Sequence, residues 1–446
     1  MGAAYAEAQA ASELRTEYER LSARLANSAP GWRPKWPETG TLLFVASDQY
    51  APGATQVEQF RKLRDEYADE LFELARQAAE TGQLSLAFQW ATEALRENPD
   101  HAHARRVLGY EKRNGRWLTP YGVRMADTAK TWHPEFGWIE PGDVSRYDAG
   151  ERRVGTRWMS TDEDAARRKD LKNGWQVRTD HFFVTTNHSL EAAVHLAARL
   201  ERLHQVWRQV FAGFLLTEHE VRRLFAGERH PRRQVRPFRV YYHRDRDEYS
   251  AALARRQPRI AETLGIYFDR NHEAHFFAGE DDDSPTLYHE SVHQLFYESR
   301  PAVKHVGELA NFWIIEGVAT YFESLTEHDD PHAGLYYTIG EQSAGRLPAA
   351  RERLLDDGFY VPLAELARFG KSDLQRHPDL PKLYSQSAGL AAFLMDAESG
   401  RYREPLVRYL EAVYAGRDDA QTLSETTGLA YPELDAAYRR YMKSLP

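Results

Sequence analysis

The stretch "TLYHESVHQLFYES", residues 286–299, decides how the rest of the chain is read. Tyr288, Val292, Leu295 and Phe296 recur at helical spacing, and Ser284-Pro285 just ahead of them is a helix start, since serine caps free backbone amides and proline there forfeits no hydrogen bond. A helix with one face in a core is therefore expected. On that helix His289 and His293, four apart, project from one adjacent face, so two imidazoles can reach a single metal ion. Glu290, next to the first histidine, points beside that ion, where a carboxylate can take a proton from an activated water without ligating the metal.

A hydrolytic metal needs a third protein ligand and an open position. The chain has no cysteine, so the ligand must be His, Asp or Glu. "NFWIIEGVATYFES", residues 311–324, supplies a candidate. Phe312, Ile315, Ala319 and Phe322 mark a buried helical face, and Glu316 lies beside it, where a carboxylate requires a partner. Glu316, Thr320 and Glu323 form one row, which makes Glu323 a candidate to hydrogen-bond a ligand histidine. Gly317 inside the helix costs about 1 kcal/mol relative to alanine, which predicts a close approach by another element.

Working outward, a chain of 446 residues with 42% hydrophobic residues implies several folded domains. Charged residues make up 28%, with both signs interspersed and a formal net charge of -9, so no basic face for nucleic acid is expected. No apolar run reaches the length of a membrane span, and residues 1–21 lack the basic start and apolar centre of a signal peptide.

Residues 1–55 read as a charged amphipathic helix, a break at "APGWRPKWPETG" and a short strand at "TLLFVAS". Residues 56–112 form a helical region in which Leu74, Ala75, Gly82, Ala87, Ala94 and Pro99 resemble one tetratricopeptide repeat; Leu108-Gly109 would begin a second, which is not completed. This region is expected to brace the fold or to bind a protein partner. Residues 113–177 are rich in glycine and tryptophan: "NGRWLTPYG" and "GTRWMSTDED" each read as a turn and strand leading into a helix, with Trp117, Trp132, Trp138 and Trp158 as the core of a small β module. In residues 178–446, "HFFVTTN" and "FRVYYH" are strands separated by a long amphipathic helix, "LGIYFDRNHEAHFF" is a hairpin turning at Asp269 to Glu273, and the remainder is expected to be almost entirely helical.

Residues 178–420 resemble the gluzincin metallopeptidases, the superfamily of thermolysin and the aminopeptidase-N-like enzymes, through "HESVH", "WIIEGVATYFE" and "LYSQSAGLAAFLM". The resemblance is nearest to uncharacterised bacterial gluzincin-like domains that follow helical repeats. It implies zinc held by His289, His293 and Glu316, Glu290 as general base, and Tyr384 as a donor to the tetrahedral intermediate. The fold class it implies is multidomain α+β, mostly helical: an N-terminal helical hairpin, a Trp-rich β linker module and a gluzincin-like domain with a small mixed sheet and a helical lobe. The spacing from His293 to Glu316 exceeds that of familiar members by a loop, "SRPAVKHVGELA". The hairpin has no Gly-x-Met-Glu-Asn motif, which disfavours an aminopeptidase and favours an endopeptidase acting on a peptide or protein substrate. In the superfamily the strand ending at Phe277 would line the cleft and pair with an extended peptide. An extracytoplasmic bacterial location is the expectation.

The alternatives are a catalytically inactive scaffold that binds a partner, or hydrolysis of a non-peptide bond. Retention of Glu290 argues against the scaffold, because a structural site needs no general base. His101, His103, His272 and His275 are expected in packing or surface roles, and the acidic loops at 281–283 and 326–332 lack the ligand spacing of a calcium loop.

Overall fold

The computed structural model describes residues 2–28, 40–47, 57–229, 236–279, 284–330 and 334–445. It is a mixed α+β protein in which helices predominate and the sheets are small. No described helix is long and apolar enough to cross a membrane. The chain divides into two compact units, one formed by Met1–Leu108, Gln205–Pro231 and Ser299–Pro446, the other by Gly109–His204 and Arg232–Glu298.

In the first unit, helices Val57–Glu80 and Leu84–Glu97 form an antiparallel pair turning at Gly82. Alanines set the close spacing: Ala68, Ala75 and Ala78 on one helix and Ala87, Ala91 and Ala94 on the other are fully buried. A buried ion pair, Arg64 Nε to Glu97 Oε2 at 2.9 Å, ties the far ends together. After Pro99 the chain makes a third, short helix, Ala102–Val107, whose first turn is capped by His101 Nδ1 accepting from the Ala104 amide at 3.1 Å. His101 is thus a capping residue. The pair shares one core with Leu14, Leu21 and Leu25 of helix Gly2–Ser28 and with Val221, Leu224 and Phe225 of helix Glu218–Phe225.

The later part of this unit is helical around Phe312–Phe322, all eleven residues of which are buried. It packs on helix Leu380–Gly400, and a Cβ at Gly317 would lie 2.8 Å from the Ser387 carbonyl oxygen. That is the close approach the sequence predicts. One expectation is overturned here: the chain beyond Phe277 is not almost purely helical. Strands Thr326–Asp330 and Gly334–Ile339 pair antiparallel, and Thr41–Phe44 adds on the other side to complete a three-stranded sheet. The aromatic and β-branched run "LYYTI" takes the central position, and the polar "TEHDD" takes an edge, where charged side chains discourage further pairing. The acidic segment that begins at Thr326 is therefore a strand through Asp330; residues 281–283 and 331–332 lie outside the described residues.

The second unit opens with three hairpins, each followed by a short helix. Glu111–Arg113 pairs with Arg116–Leu118, and Thr119 then caps Pro120–Asp127. Thr131–His133 pairs with Gly137–Ile139 ahead of Val144–Asp148. Glu151–Val154 pairs with Arg157–Ser160, and Ser160 forms a capping box with Glu163 over Thr161–Arg167. The middle hairpin has no Asn-Gly turn, so its pairing was not evident beforehand. The tryptophans pack within the module: Trp132 meets Trp138 edge to face at 5.6 Å, and Trp158 meets Tyr147 at 5.5 Å.

A five-stranded mixed sheet follows, ordered Ile266–Phe268, Glu273–Phe277, Phe238–His243, Phe182–Thr186, Trp175–Arg178. The three middle strands are parallel and the two outer ones antiparallel to their neighbours. Phe182, Val184, Val240 and Ala274 are buried along the central strands, which fits their apolar composition.

Candidate metal centre

Helix Ser284–Glu298 buries Tyr288, Val292, Leu295 and Phe296, the stripe the periodicity predicts, and Leu287 besides. His289, Glu290 and His293 lie at the border of this stripe, half-buried. The two imidazoles converge, with His289 Nε2 and His293 Nε2 3.1 Å apart and ring planes 78° to each other. Two nitrogens bound tetrahedrally to one zinc ion at about 2.05 Å would be roughly 3.3 Å apart, so the observed separation is close to that of a ligand pair.

Glu290 is held from the sheet. Its Oε2 accepts from the backbone amide of Tyr267 at 2.8 Å, in the edge strand Ile266–Phe268. The strand reaches the helix because Gly265 has no side chain: a Cβ there would fall 2.8 Å from the Phe276 ring and 3.1 Å from Thr286. Tyr249 also senses Glu290. Burial pushes its phenol up to about 12, partly offset by a hydrogen bond with Thr263, and the negative charge of Glu290 adds to the rise. The Tyr249 hydroxyl and Thr263 Oγ1 are 2.6 Å apart.

Along the strand Glu273–Phe277, Phe238–His243 pairs with every residue on one side, whereas Ile266–Phe268 pairs with Glu273–His275 alone on the other, which restricts the expected peptide-pairing role to Phe276 and Phe277. In sheet order the first strand of the hairpin takes the edge.

The remaining candidates belong to the other unit. Glu316 is buried midway along Phe312–Phe322, where Thr320 turns its hydroxyl back onto the Glu316 carbonyl at 2.7 Å. Glu323, at the end of that helix, accepts from Arg346 through both oxygens, at 2.8 and 3.3 Å. Arg346 in turn lies over the Tyr384 ring, 5.5 Å from its centroid. The structure thus joins Glu323, Arg346 and Tyr384 in one cluster. Arg346 was not singled out from sequence, since nothing in "EQSAGRLPAA" marks its partner.

No protein-family model matches the chain, and no curated protein matches it.

Proposed function

We propose that this protein is a zinc-dependent hydrolase of peptide bonds, with an endopeptidase favoured, whose catalytic part is a gluzincin-like domain within residues 178–446. The observation that carries the reading is the convergence of His289 and His293 at 3.1 Å on one helix with Glu290 between them, fixed by the Tyr267 amide. The donor set suits the ion: two imidazoles and a carboxylate, with no thiolate in the chain, are the ligand types of hydrolytic zinc. In this proposal His289, His293 and Glu316 would hold zinc.

When bound, zinc polarises a carbonyl and makes water acidic enough to attack near neutral pH. Glu290 takes the proton of the attacking water and passes it to the leaving amine. Its hydrogen bond to Tyr267 keeps one oxygen occupied and orients the other. Tyr384 donates to the oxygen on which charge develops, and Arg346 positions the Tyr384 ring. Glu323 anchors Arg346, so its proposed contact with a ligand histidine is additional to a bond it already makes. An extended substrate would add its backbone along the strand ending at Phe277, beyond the Glu273–His275 stretch that Ile266–Phe268 covers.

The test is Glu290→Gln against a peptide library, with elemental analysis of the same samples. Glutamine still offers Tyr267 an acceptor, so the fold and zinc content should be kept while kcat falls by roughly 10²–10⁴. Unchanged turnover in Glu290→Gln sinks the assignment. A zinc-free wild type that cleaves nothing after reconstitution returns the protein to the scaffold reading.

A further inference from the structure

A second group of metal-type donors lies in the hairpin-bearing unit, on elements other than the motif helix. The long helix Leu190–Val210 carries Glu201 and His204 one turn apart, and the turn before strand Phe182–Thr186 brings His181 to them. One ligand atom from each of His181, Glu201 and His204 lies within 4.8 Å of the other two. His181 Nδ1 is 2.7 Å from Glu201 Oε2, and the His181 ring stacks on the His204 ring with centroids 3.7 Å apart and planes 20° from parallel.

A hydrogen bond that merely pins the turn would need only His181 and Glu201. Glu201 Oε1 already performs that task, accepting from Thr179 Oγ1 at 2.7 Å and from the His181 amide at 2.6 Å. His204, 6% exposed, is the third donor of the group, and with it the cluster offers two imidazoles and one carboxylate, the ligand types of zinc.

We propose that His181, Glu201 and His204 form a second binding site for a divalent transition metal ion of the zinc type, fastening the turn 179–182 to the long helix. Ligation requires the donors to close from within 4.8 Å to about 3.3 Å, a shift available to His181, whose side chain is 31% exposed and faces solvent.

The full-length protein, stripped with a chelator and screened for fold by circular dichroism, is titrated with Zn²⁺ against a chromophoric competitor. The wild type should take up two equivalents. His204→Phe keeps the ring stack and loses a donor, Glu201→Gln loses the anion, and each should take up one. His293→Ala should also take up one, and His204→Phe combined with His293→Ala none. If His204→Phe does not fold, Glu201→Gln decides. Retention of the wild-type stoichiometry by the folded single variants, or one equivalent in the wild type that only His293→Ala removes, overturns the site. One equivalent removed by His204→Phe and not by His293→Ala upholds this site and refutes the metal reading of the motif helix instead.

Discussion

Two pairs of histidines in the same unit have nearly the same separation and opposite surroundings. His289 and His293 are half-buried, 3.1 Å apart at Nε2, with Glu290 between them in sequence. His243 and His275 sit on adjacent parallel strands, Nε2 to Nδ1 at 3.2 Å, and are 1% and 5% exposed. Burial pushes His243 down to about 4, with the charge of His275 adding to the depression. Burial also lowers His275, against the pull of Glu273. The second pair is a neutral core hydrogen bond, closed off by Tyr241 stacked on His275 and Tyr249 edge-on to His243. Imidazole proximity is therefore common to a candidate ligand pair and a packing pair. What separates them is access and, beside the half-buried pair, the carboxylate of Glu290.

The sharpest way to break that contrast is to remove one histidine from each pair. His293→Ala should abolish zinc uptake at the motif helix and reduce turnover by three orders of magnitude or more, to the level of the metal-free protein. His275→Ala should leave zinc content and kcat unchanged and lower stability by roughly 2 kcal/mol through the cavity and the stranded partner. Elemental analysis and urea unfolding read both. Zinc loss in His275→Ala would mean that the buried pair, not the half-buried one, is the site.

The next largest effect is on pH dependence of stability. His243 titrates near 4 when folded and near 6.5 when unfolded, so below the unfolded value the unfolded chain binds the extra proton. The stability this group contributes is fully present above about pH 6.5 and is lost as pH falls toward 4, on the order of 3 kcal/mol in all. His275, Asp245 and Tyr249 face the group, and His275 adds a loss of the same sign. In His243→Phe the decline between pH 6.5 and 4.5 should be shallower than in the wild type, measured by urea midpoints across that range. Identical slopes would show that His243 is not held neutral.

How much of this was legible beforehand follows from the range of the interactions. The motif helix, the buried row around Glu316 and the close approach at Gly317 are local patterns, and each is present as read. The strand order is not local. Periodicity marks "IYF" and "EAHFF" as paired strands but cannot say which takes the edge, since that is decided by the crossover from Phe238–His243. The polar strand Thr326–Asp330 was missed because its own residues do not favour a strand; it exists because "LYYTI" offers a partner. The His181 group was missed for a similar reason: Glu201 and His204 are visible on one helix face, but His181 arrives from the turn ahead of strand Phe182–Thr186. Arg346 on Glu323 is likewise a contact between distant segments.

Tyr249 connects the two histidine pairs and gives the smallest predicted effect. Its ring packs edge-on against His243 with centroids 5.6 Å apart, its hydroxyl bonds Thr263, and its phenol feels the charge of Glu290. Tyr249→Phe keeps the ring contact and removes the hydroxyl, leaving Thr263 with its bond to the Ile260 carbonyl at 2.9 Å. Stability should fall by about 0.5–1.5 kcal/mol, with zinc content unchanged. Because the phenol is neutral throughout the working range, the acid slope assigned to His243 should survive intact. A flattened slope in Tyr249→Phe would instead place the phenol within the titrating unit, and the buried pair would then have to be treated as a triad that reaches as far as Glu290.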